Sequence, residues 1–177
     1  DSGADRLGGD FTMVLVLQFN ELANHQMALM WGDESQGKRR AFWKTDKNKF
    51  SFNGYGADMV GSADLKRAVP MVAIITQQGS NNDTRFRLNG KDGGGGGVGL
   101  SGFQNKAITI GANNAGAEKT AADFAEVLVY DRALDANEQA AVGFYLGTKY
   151  QIDGDWNPAP AEIMALAAKP GKDRAED

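Results

Sequence analysis

The residues able to do chemistry are defined first by what is scarce. The chain carries one histidine, His25, and no cysteine. Tetrahedral zinc sites draw on several imidazoles and thiolates. A typical zinc site, a disulfide and a thiolate nucleophile therefore all lie outside its means. A Ser-His-Asp arrangement would have to pass through His25. That residue sits in the polar stretch 20–26 with no nucleophile-elbow motif near it, so it reads as a surface-loop histidine. Paired carboxylates are the remaining catalytic option. A retaining glycosidase needs two about 5–5.5 Å apart on one strand face. No Glu-x-Asp-x-x-Glu occurs, and the nearest approach, Glu126 with Asp131, has an odd spacing that puts the two on opposite faces of a regular strand. The expectation is no catalysis, with a glycan-active hydrolase or lyase as the weaker alternative.

Gly94, Gly96 and Gly99 spell a formal Gly-x-Gly-x-x-Gly. A dinucleotide site needs that motif to open a helix, so that amides and the helix dipole meet phosphate. No helical period follows, and residues 93–99 read as a surface loop. Oxygen-rich runs are harder to dismiss, because hard cations take Asp, Asn and carbonyl ligands. Asn81, Asn82 and Asp83 are the candidate Ca²⁺ ligands, with Asp46 and Asn48 a lesser pair. The competing reading is that Asn and Asp here simply make turns.

Flat rings are the remaining resource, since sugars lay their C–H faces on them. Trp31, Phe42, Trp43 and Tyr55 cluster in the first half. Phe42 and Trp43 are neighbours on one expected strand, so one faces inward and the other outward. An outward Trp43 beside Arg39, Lys44 or Tyr55 would make a sugar platform. Arg85 and Arg87 share a strand face and suit a sulfated or uronic sugar, or they are solvated edge charges that discourage aggregation. The candidate ligand-binding residues are thus Trp43, Tyr55, Arg85 and Arg87. Trp156 reads instead as a pin for the C-terminal segment.

These side chains need a scaffold, and the periodicity supplies one. Phe11, Met13, Leu15, Leu17 and Phe19 line one face of a strand whose other face carries Val14 and Val16. Two apolar faces mark a central strand. Further strands are expected at 27–31, 39–45, 49–55, 69–76, 84–88, 106–110 and 124–130. Asn89-Gly90 after 84–88 tolerates positive φ at both turn positions and signals a tight hairpin. Short strands punctuated by turns indicate a sandwich or barrel. One helix stands out. Asp135 caps it, Glu138 completes a capping box, and Ala141, Val142, Tyr145 and Leu146 give its apolar stripe. A second helical stretch is expected around 163–168.

With 177 residues and 23 glycines, one domain rich in turns is the natural reading. The division expected is a sandwich over 1–154 and a C-terminal extension or linker over 155–177. The net charge of −4 does not suit nucleic acid or anionic membranes. No apolar run approaches the about 20 residues of a membrane-spanning helix. The chain begins at Asp1, as a processed or excised piece would.

The C-terminal third carries a more specific signal. Residues 124–134 (FAEVLVYDRAL) run into 135–138 (DANE) and 145–150 (YLGTKY). This resembles the closing signature of bacterial laminin-G-like domains of the concanavalin-A-like superfamily. Residues 108–112 (ITIGA) are similar to the strand before that signature, and Leu88-Asn89-Gly90 sits where the family has its small hairpin turn. The resemblance implies an all-β, two-sheet antiparallel jelly roll with one short C-terminal helix. It also implies a recognition module of a larger exported bacterial protein, secreted, periplasmic or on the cell surface, that binds carbohydrate, with Ca²⁺ on its rim in many relatives. The alternative partner is a neighbouring protein domain, in a structural module without a small ligand.

Overall fold

The computed structural model describes residues 9–23, 25–45, 47–79, 83–100 and 108–156. Ten strands and one helix follow in order: β1 (Phe11–Phe19), β2 (Gln26–Gly32), β3 (Arg39–Lys44), β4 (Lys49–Asn53), β5 (Met59–Asp64), β6 (Met71–Gln78), β7 (Asp83–Leu88), β8 (Lys91–Gly97), β9 (Thr109–Ile110), β10 (Ala122–Tyr130) and α1 (Ala136–Tyr150). They form two five-stranded sheets ordered β10-β1-β6-β7-β8 and β5-β4-β3-β2-β9. Every pairing is antiparallel. The architecture is the expected two-sheet jelly-roll sandwich with a C-terminal helix.

β1 shows why. It lies between β10 and β6, and its two faces pack against the second sheet on one side and α1 on the other. Phe11, Met13, Leu15, Leu17 and Phe19 project between the sheets with Ala73, Ile75 and Phe86, and meet Leu29, Phe42, Phe50 and Phe52 of the second sheet. Phe50 is the aromatic hub, with ring centroids 5.7 Å from Phe19, 5.3 Å from Phe42 and 5.7 Å from Phe86. Such ring pairs add about 0.5–1.5 kcal/mol each beyond their buried area.

The other face of β1 belongs to a second cluster. Val14, Val16, Val72 and Ile74 pack beneath Leu146 of α1 and Ile152, with Trp156 against them. Asp135 and Glu138 make the full capping box, each side chain bonded to the other's backbone N–H. Arg132 holds Glu138 with two hydrogen bonds of 2.6 and 2.7 Å. Glycine in the middle of α1 is accounted for by Trp156. A Cβ at Gly143 would lie 2.4 Å from the indole, one at Gly147 2.7 Å and one at Gly154 2.4 Å. Three glycines therefore make a seat for one ring, and Trp156 pins the segment after the helix as expected. Because α1 and this segment cover the first sheet, its outer surface is sealed where they lie.

Two expectations need correcting. Residues 93–97 are the edge strand β8 rather than loop; glycine's poor strand propensity hid it. Two of its glycines answer to β7: a Cβ at Gly93 would come within 2.3 Å of Phe86, and one at Gly95 within 2.5 Å of the Arg85 side chain. Residues 59–64 also form a strand, β5, that the periodicity missed. The Asn89-Gly90 turn is as expected, with φ of 48° and 76°, and the Asn89 side chain accepts a 2.7 Å bond from the Val72 N–H. The helical stretch expected at 163–168 lies outside the described residues, as do 106 and 107 of one expected strand. Among the described residues no helix is long and apolar enough to cross a membrane.

Candidate functional site

Among the described residues no helix lies over the outer side of the second sheet. Its central strand β3 alternates: Phe42 enters the core, and Arg40 lies with its guanidinium 6.0 Å from the Phe11 ring centroid. Lys44 shares that inward face and is fully buried. Its ammonium donates to the carbonyls of Ala23 (2.6 Å) and Thr45 (2.8 Å). Lys44 therefore cannot stand beside Trp43 as the sequence suggested; it is one residue out of phase. Arg39, Ala41 and Trp43 face outward.

Register extends this face sideways. Trp43 is opposite Met27 and Ser51, and Ala41 is opposite Met30 and Asn53. Met27, Met30 and Ala41 are buried under the half-buried Trp43 ring. His25, at φ 53°, stacks on that ring with centroids 5.2 Å apart and planes 28° from parallel. The lone histidine is indeed an exposed loop residue, but its ring extends the Trp43 surface. Trp43 Nε1 is buried without an acceptor, a donor left open in the sense that ordinarily costs a protein energy.

Four positions along β3, a rise of about 13 Å, lies a polar station. Arg39 is 5% exposed. Its Nε donates to Asn53 Oδ1 at 2.7 Å, its Nη1 is 3.9 Å from Glu118, and its guanidinium lies 4.9 Å from the centroid of the Tyr55 ring. Burial pushes the Arg39 pKa down, opposed by the charges of Glu118, Glu34 and Asp58. Tyr55 is 46% exposed and is aimed by its left-handed backbone, φ 61°. Asn53 Oδ1 also accepts the Tyr55 N–H at 3.0 Å, so one amide orients both the cation and the ring. One oxygen of Glu34 and the hydroxyl of Ser35 are buried without partners. This face thus offers a flat two-ring surface at one end and an aromatic-guanidinium pair ringed by carboxylates at the other. Apolar area with a few fixed polar groups is what small-ligand sites require.

The other sequence candidates lie elsewhere. Arg85 is opposite Thr76 and Arg87 opposite Ile74, which places both on the outer face of the first sheet. Trp43 and Tyr55 are on the far side of the sandwich, so the four do not form one site. Arg85 bridges Asp83 at 3.1 Å. Asp83 opens β7, while Asn81 and Asn82 lie outside the described residues, as does Asp46. Asn48 is a turn residue at φ 55°. Among the described residues no group of three or more histidine or carboxylate side chains could hold a metal ion. Glu126 is bound to Lys149 at 2.8 Å and the Tyr150 hydroxyl at 2.9 Å, and the Lys149 hydrogen bond holds its carboxyl below the usual range. Arg39 was the residue under-read in sequence; its position two before Ala41 and four before Trp43 was the available signal.

Comparison with known proteins places the fold. No family model matches the chain, and no curated protein matches it. Solved structures do. A protein from Bacteroides ovatus proposed to bind carbohydrate superposes with a TM-score of 0.62 at 17% identity, over 74% of this chain and 40% of that one. The carbohydrate-binding module CBM40 of the Ruminococcus gnavus IT-sialidase, in complex with α2,3-sialyllactose, gives 0.58 at 14% identity, over 78% of this chain and 84% of the module. A Trypanosoma rangeli sialidase gives 0.63 at 18% identity, over 85% of this chain but 24% of that one. The chain spans less than half of the first and about a quarter of the third of these. At such identities the likeness establishes the fold: a lectin-like jelly roll of the kind found in carbohydrate-binding modules.

Proposed function

We propose that this chain is a non-catalytic carbohydrate-recognition module of a larger exported bacterial protein, of the laminin-G-like kind that its closing signature resembles. The observation that carries the reading is the asymmetry of the two outer faces. One is covered by α1 and Trp156, and the other presents Trp43 with His25 and Arg39 with Tyr55. A sugar ring would stack on the Trp43 surface. A hydroxyl-bearing group on the same chain would reach the exposed Tyr55 and the polar groups beside Arg39, because the two stations lie about 13 Å apart along an extended strand. Lectin-like neighbours, including a sialidase module seen with sialyllactose, support glycans as the ligand class.

The test is a glycan array probed with the purified chain, in Ca²⁺ and in EDTA, alongside Tyr55→Ala and Trp43→Ala. Tyr55 is largely exposed, so Tyr55→Ala should weaken binding while the Tm stays put. Trp43→Ala should abolish binding and lower the Tm modestly, since the ring roofs Met27, Met30 and Ala41. An array silent in both conditions would refute glycan recognition and leave a structural or protein-binding module.

A further inference from the structure

One end of the sandwich holds a cavity of about 640 Å³ that shares no residue with the face above. Its walls come from four segments: the end of β5, the β5–β6 connection, the β7–β8 turn, and the chain after α1. Each is tied down. Asn89 N–H donates to Val72 O and Asp155 N–H to Asn89 O, both at 2.9 Å, and Leu65 N–H donates to Asn48 O at 2.9 Å. The turn and the C-terminal segment touch so closely that a Cβ on Gly90 would lie 1.7 Å from Asp155 O. The cavity is therefore preformed, within the range of small-ligand pockets.

Its lining has two parts. Leu65, Val69, Met71 and Leu88 give an aliphatic floor; Leu65 and Met71 are buried, and Val69 stands 42% exposed. Around the rim are Lys66, Lys91, Asp153 and Asp155. All four are exposed, and no hydrogen bond or ion pair engages their side chains among the described residues. Asp64, also on the rim, is neutralised by Lys49 at 2.7 Å. The rim thus carries two open ammonium groups and two open carboxylates around an apolar base.

We infer that this cavity is a second glycan site, built for one or two neutral pyranose rings. A strongly charged ligand finds no net charge there to favour it. A sugar hydroxyl is both donor and acceptor, so one ring can accept from the lysines and donate to the aspartates. Hydrogen bonds to ionised partners are the strong ones. The C–H face of the same ring lies on Val69, Met71 and Leu88. This inference shares with the proposed function the class of ligand but none of the residues.

The experiment is an NMR titration of the isotope-labelled chain with maltotriose, cellotriose and mannotriose in turn. The backbone amides of Val69, Leu88, Lys91 and Gly154 should shift with at least one of them. Val69→Trp, which fills the mouth from an exposed position, should weaken that response roughly tenfold or more, a loss of about 1.4 kcal/mol. Asp153→Ala with Asp155→Ala should do the same without touching the backbone bond to Asn89. Trp43→Ala and Tyr55→Ala should leave it intact. No shift at the cavity with any of the three overturns the inference, as does a shift that survives Val69→Trp. Shifts confined to Trp43 and Tyr55 would overturn this site and leave the proposed face standing; shifts confined to the cavity would do the reverse.

Discussion

Replacing Gly143 by alanine sets two effects of known size against each other. In an exposed helix the change would gain about 0.8–1 kcal/mol of propensity. Here the new Cβ would lie 2.4 Å from Trp156 Cε3 and 2.5 Å from Cζ3. Carbon atoms rest at about 3.5–4.0 Å, so the indole would have to retreat by more than about 1 Å. It has little room, because Gly147 and Gly154 flank the same ring so closely that Cβ atoms there would lie 2.7 and 2.4 Å from it. Overpacking of this sort costs about 1–3 kcal/mol. Gly143→Ala should therefore destabilise by about 1 kcal/mol net, lowering Tm by roughly 2–4 °C for a domain of this size. In a Trp156→Ala background the clash is gone, and the same substitution should stabilise by about 1 kcal/mol. Urea denaturation of the four proteins reads both signs. A stabilising effect of Gly143→Ala with Trp156 in place would refute the seat.

Three further outcomes follow from other contacts. The Glu138 carboxyl is held down to about 2, chiefly by hydrogen bonds from Arg132 and then by the Asp135 N–H, from an ordinary 4.5. A depressed folded pKa makes its contribution complete above about 4.5 and lost as pH falls toward about 2, so thermal melts across that window should fall more steeply for the native chain than for Glu138→Gln. Thr12 is fully buried, donates to Arg132 O at 3.1 Å and accepts from Leu134 N–H at 2.9 Å; Thr12→Val should cost about 1–3 kcal/mol in chemical denaturation, and a neutral result would contradict those bonds. A Ca²⁺ ion held by Asn81, Asn82 and Asp83 should raise the melting temperature, by an amount equivalent to about 2.7 kcal/mol at a hundred times its Kd; EDTA should reverse it, and an unmoved Tm would dismiss the site.

How much of this was readable from sequence depended on what each residue had to satisfy. β1 and α1 were plain because one period governs each: alternation between two apolar faces, and a capped apolar stripe. Strand alternation put Phe42 and Trp43 on opposite faces, and the packing of Phe42 in the core decided which faces in. β8 was hidden because a run of glycines has no period to read, although Gly93 and Gly95 are kept small by Phe86 and Arg85 on β7. Lys44 was misread because charge suggests water, whereas the backbone carbonyls of Ala23 and Thr45 receive its ammonium inside. The candidate site was half legible. Trp43 and Tyr55, named as candidates from sequence, lie on the same side of the second sheet, whereas the register places Arg85 and Arg87, named with them, on the outer face of the first sheet. Arg39 became visible as a site residue once Asn53, Tyr55 and Glu118 were seen to converge on it.

The proposed glycan surface is the Trp43 and Tyr55 side of the second sheet, not the side of the first sheet that α1 and Trp156 cover. The indole N–H signals of Trp43 and Trp156 report on the two faces separately, so the most direct measurement follows both during titration with a glycan selected on the array. The account predicts a saturable shift of the Trp43 signal with Trp156 unmoved. A glycan that binds while the Trp43 signal stays fixed, or that moves Trp156 instead, would contradict it.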